Sequence, residues 1–169
     1  MLDIPHVLQT KNYSCGPASM RAVMAYYGSK LTEDWLIKAM HCTPDDGTSP
    51  ASMSRFVRSR RHRLKISQNL NITDLHEMTA NGWPVIVAYQ DWPHRPSETD
   101  LTRTYDNGHY AVVCGIEDDK VYLMDPSSSR RRKTIEAPQF VARWRDIGVK
   151  GEIYSQWGLA IGPLYSRRS

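Results

Sequence analysis

Two periodicities alternate along this chain. From Ala18 to Tyr27 apolar side chains recur at Met20, Val23, Met24 and Tyr27, the spacing of one helical face. A second helix is predicted over Leu31 to Met40. Thr32 is its cap, Glu33 and Asp34 fill the first turn, and Trp35, Leu36 and Ala39 form the apolar face. A third runs from Pro50 or Ala51 to about Arg60, with Met53, Phe56 and Val57 inward, after the turn-rich stretch 43–50. Leu64 to Gln68 reads as a short strand, and Thr73 to Ala80 as a helix capped by Asn71 or Thr73. Val85 to Tyr89 is a short apolar run of the kind that forms a buried strand.

The later part reads as β structure. Residues 110–117 and 120–124 are apolar or alternating runs joined by Asp118-Asp119, which predicts a β-hairpin. Ala137 to Trp144 reads as a short helix and Ser155 to Ile161 as a last strand. Helices first and mostly antiparallel strands afterwards predict an α+β domain, a single one over residues 1–169 with no internal repeat. Residues 90–108 form a long polar stretch carrying Trp92-Pro93-His94-Arg95-Pro96, either a surface insertion or a wall of a site.

The chemistry concentrates at the start. In Gln9–Gly28, Cys15 stands at or just before a helix N-terminus, with Pro17 tolerated close behind it. Unpaired N–H groups and the helix dipole favour a thiolate there, and the thiolate is the nucleophilic form. Such a nucleophile needs a base, an orienter for the base, and donors for an oxyanion. Gln9 offers a side-chain N–H beside the backbone N–H of Cys15. His109 opens one strand of the hairpin and Asp125 closes the next, so antiparallel pairing would make them neighbours. Trp92, His94 and Tyr110, before and beside His109, are the candidate substrate-binding residues.

Gln9, Cys15-Gly16-Pro17-Ala18-Ser19, Tyr27-Gly28, Gly47-Thr48-Ser49, Gly108-His109-Tyr110 and Asp125-Pro126 follow in this order. Together they resemble the C39 family of papain-like cysteine peptidases, in particular its stand-alone members. The resemblance spans about Ile4 to Leu164. It implies a papain-like fold, with Cys15 as nucleophile, His109 as base, Asp125 as orienter and Gln9 as oxyanion donor. It also implies cleavage after small residues such as a Gly-Gly leader. Ser14 stands where family leader peptidases often carry an acidic residue, and no transporter segment accompanies the domain. Deamidation, isopeptide cleavage or acyl transfer would use the same residues, and a silent peptide-binding module would retain only the groove.

Bulk composition narrows the remaining choices. With 40% hydrophobic and 24% charged residues over 169 positions, the chain is an ordinary globular sequence. No apolar run approaches the roughly 20 residues of a membrane helix. An odd count of three cysteines and the absence of a basic-then-apolar start point to a reducing, cytoplasmic setting. Cys42 and Cys114 read as small buried apolar groups. The other histidines, His6, His41, His62, His76 and His94, lack ligand spacing, so no metal or other cofactor is expected. The basic runs 58–65 and 130–133 sit in a chain of net charge only +4 without a nucleic-acid motif, so they read as solvated faces. The expected partner is a peptide or protein substrate, and the oligomeric state is left open.

Overall fold

A computed structural model describes residues 1–91, 105 and 107–166. The candidate substrate residues Trp92 and His94 lie outside the described residues. Three helices come first: α1 (Cys15–Tyr26), α2 (Glu33–Ala39) and α3 (Pro50–Ser59). Then follow β1 (His62–Ser67), α4 (Ile72–Ala80), β2 (Val85–Gln90), β3 (Gly108–Glu117), β4 (Lys120–Met124) and β5 (Lys133–Glu136). The described chain closes with α5 (Ala137–Arg143), β6 (Arg145–Ile147), β7 (Ile153–Ser155) and β8 (Gly158–Leu164).

Local chemistry explains the helix starts. Thr32 accepts from the Trp35 N–H, Ser49 from the Ser52 N–H, and Asn71 and Asp74 form a reciprocal capping box. Trp35 and Ala39 do not join an inward face as the pattern suggested; both are exposed. Trp35 lies edge-on to Phe56 and is covered by the Arg60 guanidinium, while Leu36, as expected, and Met40 are buried.

Six strands form one sheet in the order β1-β8-β2-β3-β4-β5, every pair antiparallel. The sheet has a core on each side. Ile86, Ala88, Val112 and Met124 pack with α1 and α3 through Met20, Val23, Met24, Met53 and Phe56. Val85, Val87, Tyr89, Ala111, Val113 and Leu123 pack with α4 and α5 through Leu75, Phe140 and Trp144. The alternation along β2 and β3 therefore divides two apolar sets between two helical layers, as a strand buried on both faces requires.

The hairpin β3–β4 turns at Asp118 and Asp119, both at positive φ (49° and 57°), which suits the right-handed twist of the strands. Its register then shifts by one residue between Val113 and Gly115, leaving Cys114 as a β-bulge. Two elements differ from the sequence pattern. Residues 145–155 form the separate hairpin β6–β7, so Ser155 belongs there and the last strand starts at Gly158. Lys133, within the basic run 130–133, opens strand β5, paired to Leu123.

Phe140 is fully buried against Tyr89 and Trp144. Phe140→Ala is expected to cost about 3–5 kcal/mol, through lost transfer energy and an unfilled cavity. Chemical denaturation measures this, and a loss below about 1 kcal/mol would show that α5 contributes little to the second core.

Candidate active site

Cys15 is the first residue of α1. Ser14 occupies the N-cap position but makes no side-chain cap bond. Its hydroxyl turns away and donates to Glu33 Oε1 at 2.5 Å. The helix start is thus left uncapped beside the thiol, which keeps its positive dipole end directed at Cys15. Gly16 lets α1 approach the 41–50 loop: an added Cβ would lie 2.9 Å from Thr48 and from the Met53 methyl.

His109 lies near the start of β3, opposite Tyr89 of β2. Its Nε2 is 2.8 Å from Asp125 Oδ1. The bulge at Cys114 makes this contact possible. Near the turn, Ile116 pairs with Val121. Carried on unshifted, that register would set Asp125 opposite Val112, on the other face from His109. After the shift Val112 pairs with Met124, so the next position puts Asp125 across from Ala111, on the His109 face. The two residues meet diagonally rather than directly opposite each other.

Asp125 is fully buried and its acceptor capacity is well used. Oδ1 also accepts from the Ser127 N–H (2.8 Å) and hydroxyl (2.7 Å), and Oδ2 from the Tyr89 hydroxyl (2.7 Å) and Lys133 Nζ (2.9 Å). Burial alone would raise the Asp125 pKa. Hydrogen bonds and charges from His109 and Lys133 outweigh it, holding the carboxyl well below the usual carboxylate range. For His109 burial likewise opposes the charged form. The bond to Asp125, then the bond and charge of Cys15, outweigh it and raise the imidazole from 6.5 to about 10. The ring is thus held as imidazolium at neutral pH. With Nε2 committed to Asp125, Nδ1 is the nitrogen left for the thiol.

Cys15, Thr48, Tyr110 and Asp146 line a cleft of about 620 Å³, whose far wall is the β6–β7 hairpin with Ile147 and Val149. Tyr110 therefore borders the cleft, although its hydroxyl is donated to the Thr48 carbonyl at 2.9 Å. Asp146 lies against the Gly108 backbone, beside His109. Burial raises its pKa to about 6, partly offset by the Ile147 N–H and Gln90 amide. Gln9 sits next to the Asp125–Pro126 corner, its N–H donating to the Pro126 carbonyl at 2.9 Å. Its Nε2 donates to the Lys11 carbonyl at 2.9 Å, which occupies one of the two amide hydrogens.

Tyr89, Ser127, Lys133 and Asp146 were not legible as site residues. Lys133 read as part of a basic loop, and Asp146 fell in a stretch without assigned structure. Oxygen and nitrogen atoms of Asp91, His109 and Asp125 come within 4.8 Å of one another, a spacing that suits a metal. The Lys133 ammonium already lies among them, 2.5 Å from Asp91 and 2.9 Å from Asp125, and supplies the positive charge. Cys42 and Cys114 are buried free thiols, as expected, and burial raises the Cys114 pKa to about 11.

The fold is that of C39 peptidase domains. The chain belongs to the Peptidase_C39 like family, whose profile matches residues 1–152. Among solved structures, the peptidase domain of Streptococcus ComA, a bifunctional ABC transporter of a quorum-sensing pathway, shares the fold. Its TM-score is 0.70 at 18% identity, over 93% of this chain and 96% of that domain. A C39-like protein of Bacillus anthracis gives 0.70 at 14% identity, over 99% and 96%. A double-glycine-motif protease of an AMS/PCAT transporter, solved with a leader peptide, gives 0.67 at 17% identity, over 95% and 92%. An uncharacterized protein of Methanothermobacter marburgensis is 28% identical over 131 residues, 75% of this chain and 74% of that protein. No helix among the described residues is long and apolar enough to cross a membrane.

Two outcomes follow from this geometry. Gly108→Ala puts a Cβ within 2.7 Å of Asp146 Oδ2 and closer to Oδ1, so Asp146 or β3 must shift. A loss of about 1–3 kcal/mol is expected in denaturant unfolding, and an unchanged midpoint would mean that Asp146 moves freely. The second concerns pH. The folded pKa of His109 lies above its unfolded value, so its contribution is complete below about pH 6.5 and is lost as pH rises through about 10. Unfolding free energy should therefore fall across that window in the wild type and fall less steeply in His109→Gln. Equal slopes would show that His109 is not held charged.

Proposed function

We propose that this chain is a cysteine peptidase, acting as one domain over residues 1–169. Cys15 is the nucleophile, His109 the acid–base residue and Asp125 its orienter. The observation that carries the reading is the line from the start of α1 through the His109 ring to the buried Asp125, with His109 raised to about 10. That setting holds a charged imidazole against the Cys15 sulfur.

In the first step Cys15 Sγ adds to the peptide carbonyl, and the backbone N–H of Cys15 with the Gln9 amide receives the oxyanion. His109 then gives its proton to the leaving amine as the C–N bond breaks, leaving a thioester on Cys15. Water, its proton taken by His109, attacks the thioester; the C–S bond breaks, the acid leaves, and Cys15 returns as thiolate beside the imidazolium. Asp125 stays ionised throughout and holds the ring in place. The cleft with Tyr110 receives the chain on either side of the scissile bond. The relative solved with a leader peptide is a double-glycine-motif protease, which supports a Gly-Gly leader as the first substrate to try.

Peptides carrying an internal Gly-Gly, incubated with the protein and followed by mass spectrometry, test the reading. Cleavage is expected with wild type. Cys15→Ala should lose it entirely and His109→Ala by about 10²–10⁴-fold. Activity that survives Cys15→Ala would place the chemistry elsewhere. A product one dalton heavier with an intact chain would mark amide hydrolysis of a side chain instead.

A further inference from the structure

Directly behind the nucleophile lies a buried carboxylate that the proposed mechanism does not use. Glu33 is the first residue of α2, where the sequence suggests only a favourable charge at a helix start. It is 4% exposed. Its Oε1 accepts three hydrogen bonds, from the Ser14 hydroxyl (2.5 Å), the Thr10 N–H (2.9 Å) and the Thr10 hydroxyl (3.1 Å). Oε2 is buried with no hydrogen-bond partner among the described residues. A carboxylate taken out of water in this way is costly, so its retention calls for a role beyond capping α2.

Its partners define that role. Thr10 follows Gln9, and Ser14 precedes Cys15. The segment between them is a tight turn: the Ser14 N–H bonds the Lys11 carbonyl at 3.2 Å, and Ser14 Oγ accepts from the Lys11 N–H at 3.2 Å. The Gln9 amide reaches the same Lys11 carbonyl. Glu33 thus grips the turn at both ends, one residue inside each proposed oxyanion donor. Those donors must hold a separation fixed to a fraction of an ångström if they are to stabilise charge at one oxygen.

We propose that Glu33 is a positioning residue for the oxyanion site: through Thr10 and Ser14 it sets the distance between the Gln9 amide and the Cys15 N–H. The inference rests on the reading of Cys15 as nucleophile and Gln9 as oxyanion donor. It differs from a merely structural role in one respect. Loss of Glu33 should impair reactions that place an oxyanion in the site and spare those that need only the thiolate.

Two probes separate these. N-acetyl-glycyl-glycinal, a peptide aldehyde, adds the cysteine sulfur to its carbonyl and leaves oxygen in the oxyanion position. Iodoacetamide alkylates the same sulfur by displacing iodide and makes no oxyanion. Glu33→Leu is expected to weaken aldehyde affinity by about 10–100-fold, the loss expected from misplacing rather than deleting an oxyanion donor. Its Cys15 alkylation rate should stay that of wild type. Glu33→Gln keeps an accepting oxygen for Thr10 and Ser14 and should restore most of the affinity. Ser14→Ala removes the link to the nucleophile side and should show the same selective loss, and it decides the matter if Glu33→Leu does not fold. Wild-type aldehyde affinity in the folded variants, or an equal loss with both probes, would refute the positioning role. Wild-type protein whose aldehyde binding is unaffected by Cys15→Ala would instead remove the catalytic reading beneath it.

Discussion

One extra residue in one strand decides whether this site exists. Side chains on a strand alternate with a period of two, so an odd shift in register exchanges every facing pair. The β3–β4 hairpin leaves its turn in a register that would send His109 and Asp125 to opposite faces, and the bulge at Cys114 reverses that. The bulge has a cost, since its residue leaves the ladder. Part of that cost is offset by the N-terminal segment, where the Leu2 N–H donates to the Cys114 carbonyl at 2.7 Å. Seven residues on, the Gln9 N–H bonds the Pro126 carbonyl. The same segment therefore stabilises the register shift at one end and delivers Gln9 beside Asp125 at the other. Arg132 holds it down through the Leu2 and Ile4 carbonyls, and Arg131 pairs with Asp3.

Asp125 shows how a buried charge is made tolerable. It accepts from five donors, two of them cationic when His109 is charged. Lys133 answers Asp91 as well, so the group carries two carboxylates against two cations. Removing one partner from such a set costs more than the pair contributes, because the remainder stays buried and unmatched. The ring of His109 is accordingly fixed by the protein rather than by a substrate. Preorganisation of that kind would hold the ring in place before a substrate arrives, as the proposed chemistry requires.

Much of this was legible in the sequence because it depends on local rules. The helix behind Cys15, the caps at Thr32 and Asn71, the inward set Met53, Phe56 and Val57, and the Asp118-Asp119 turn all follow from spacing and side-chain chemistry within a few residues. The proximity of His109 and Asp125 was legible too, though by an argument from a regular ladder that the bulge replaces with a diagonal contact. What escaped depends on distant partners. Lys133 looks like any residue of a basic run until β5 is laid beside β4, and Tyr89 like any core aromatic until its hydroxyl finds Asp125. Trp35 lies about 100° around α2 from the buried Leu36, a neighbour the apolar pattern could not rank, so it sits at the surface against Phe56 and under Arg60. The β6–β7 hairpin is three residues per strand with exposed Ile147 and Ile153, too short and too open to leave a periodic signature.

That hairpin and the turn behind Cys15 show the same division of labour in different materials. The His109–Asp125 pair is fixed by a sheet with helices on both faces, where apolar burial makes the geometry stiff. The proposed oxyanion side is built on a loop, residues 9–14, which has no ladder to hold it. A loop can be made as exact as a strand only if polar contacts replace the missing packing. Glu33 supplies three of them from a buried position at one oxygen. The cleft wall is held more loosely: Asp146 keeps contacts to Gln90 and the Ile147 N–H, while Val149 at the hairpin tip is 65% exposed. Contacts therefore thin out from the His109–Asp125 pair toward the hairpin tip. In the proposed peptidase, the hairpin side of the cleft is therefore the side least constrained by the rest of the fold.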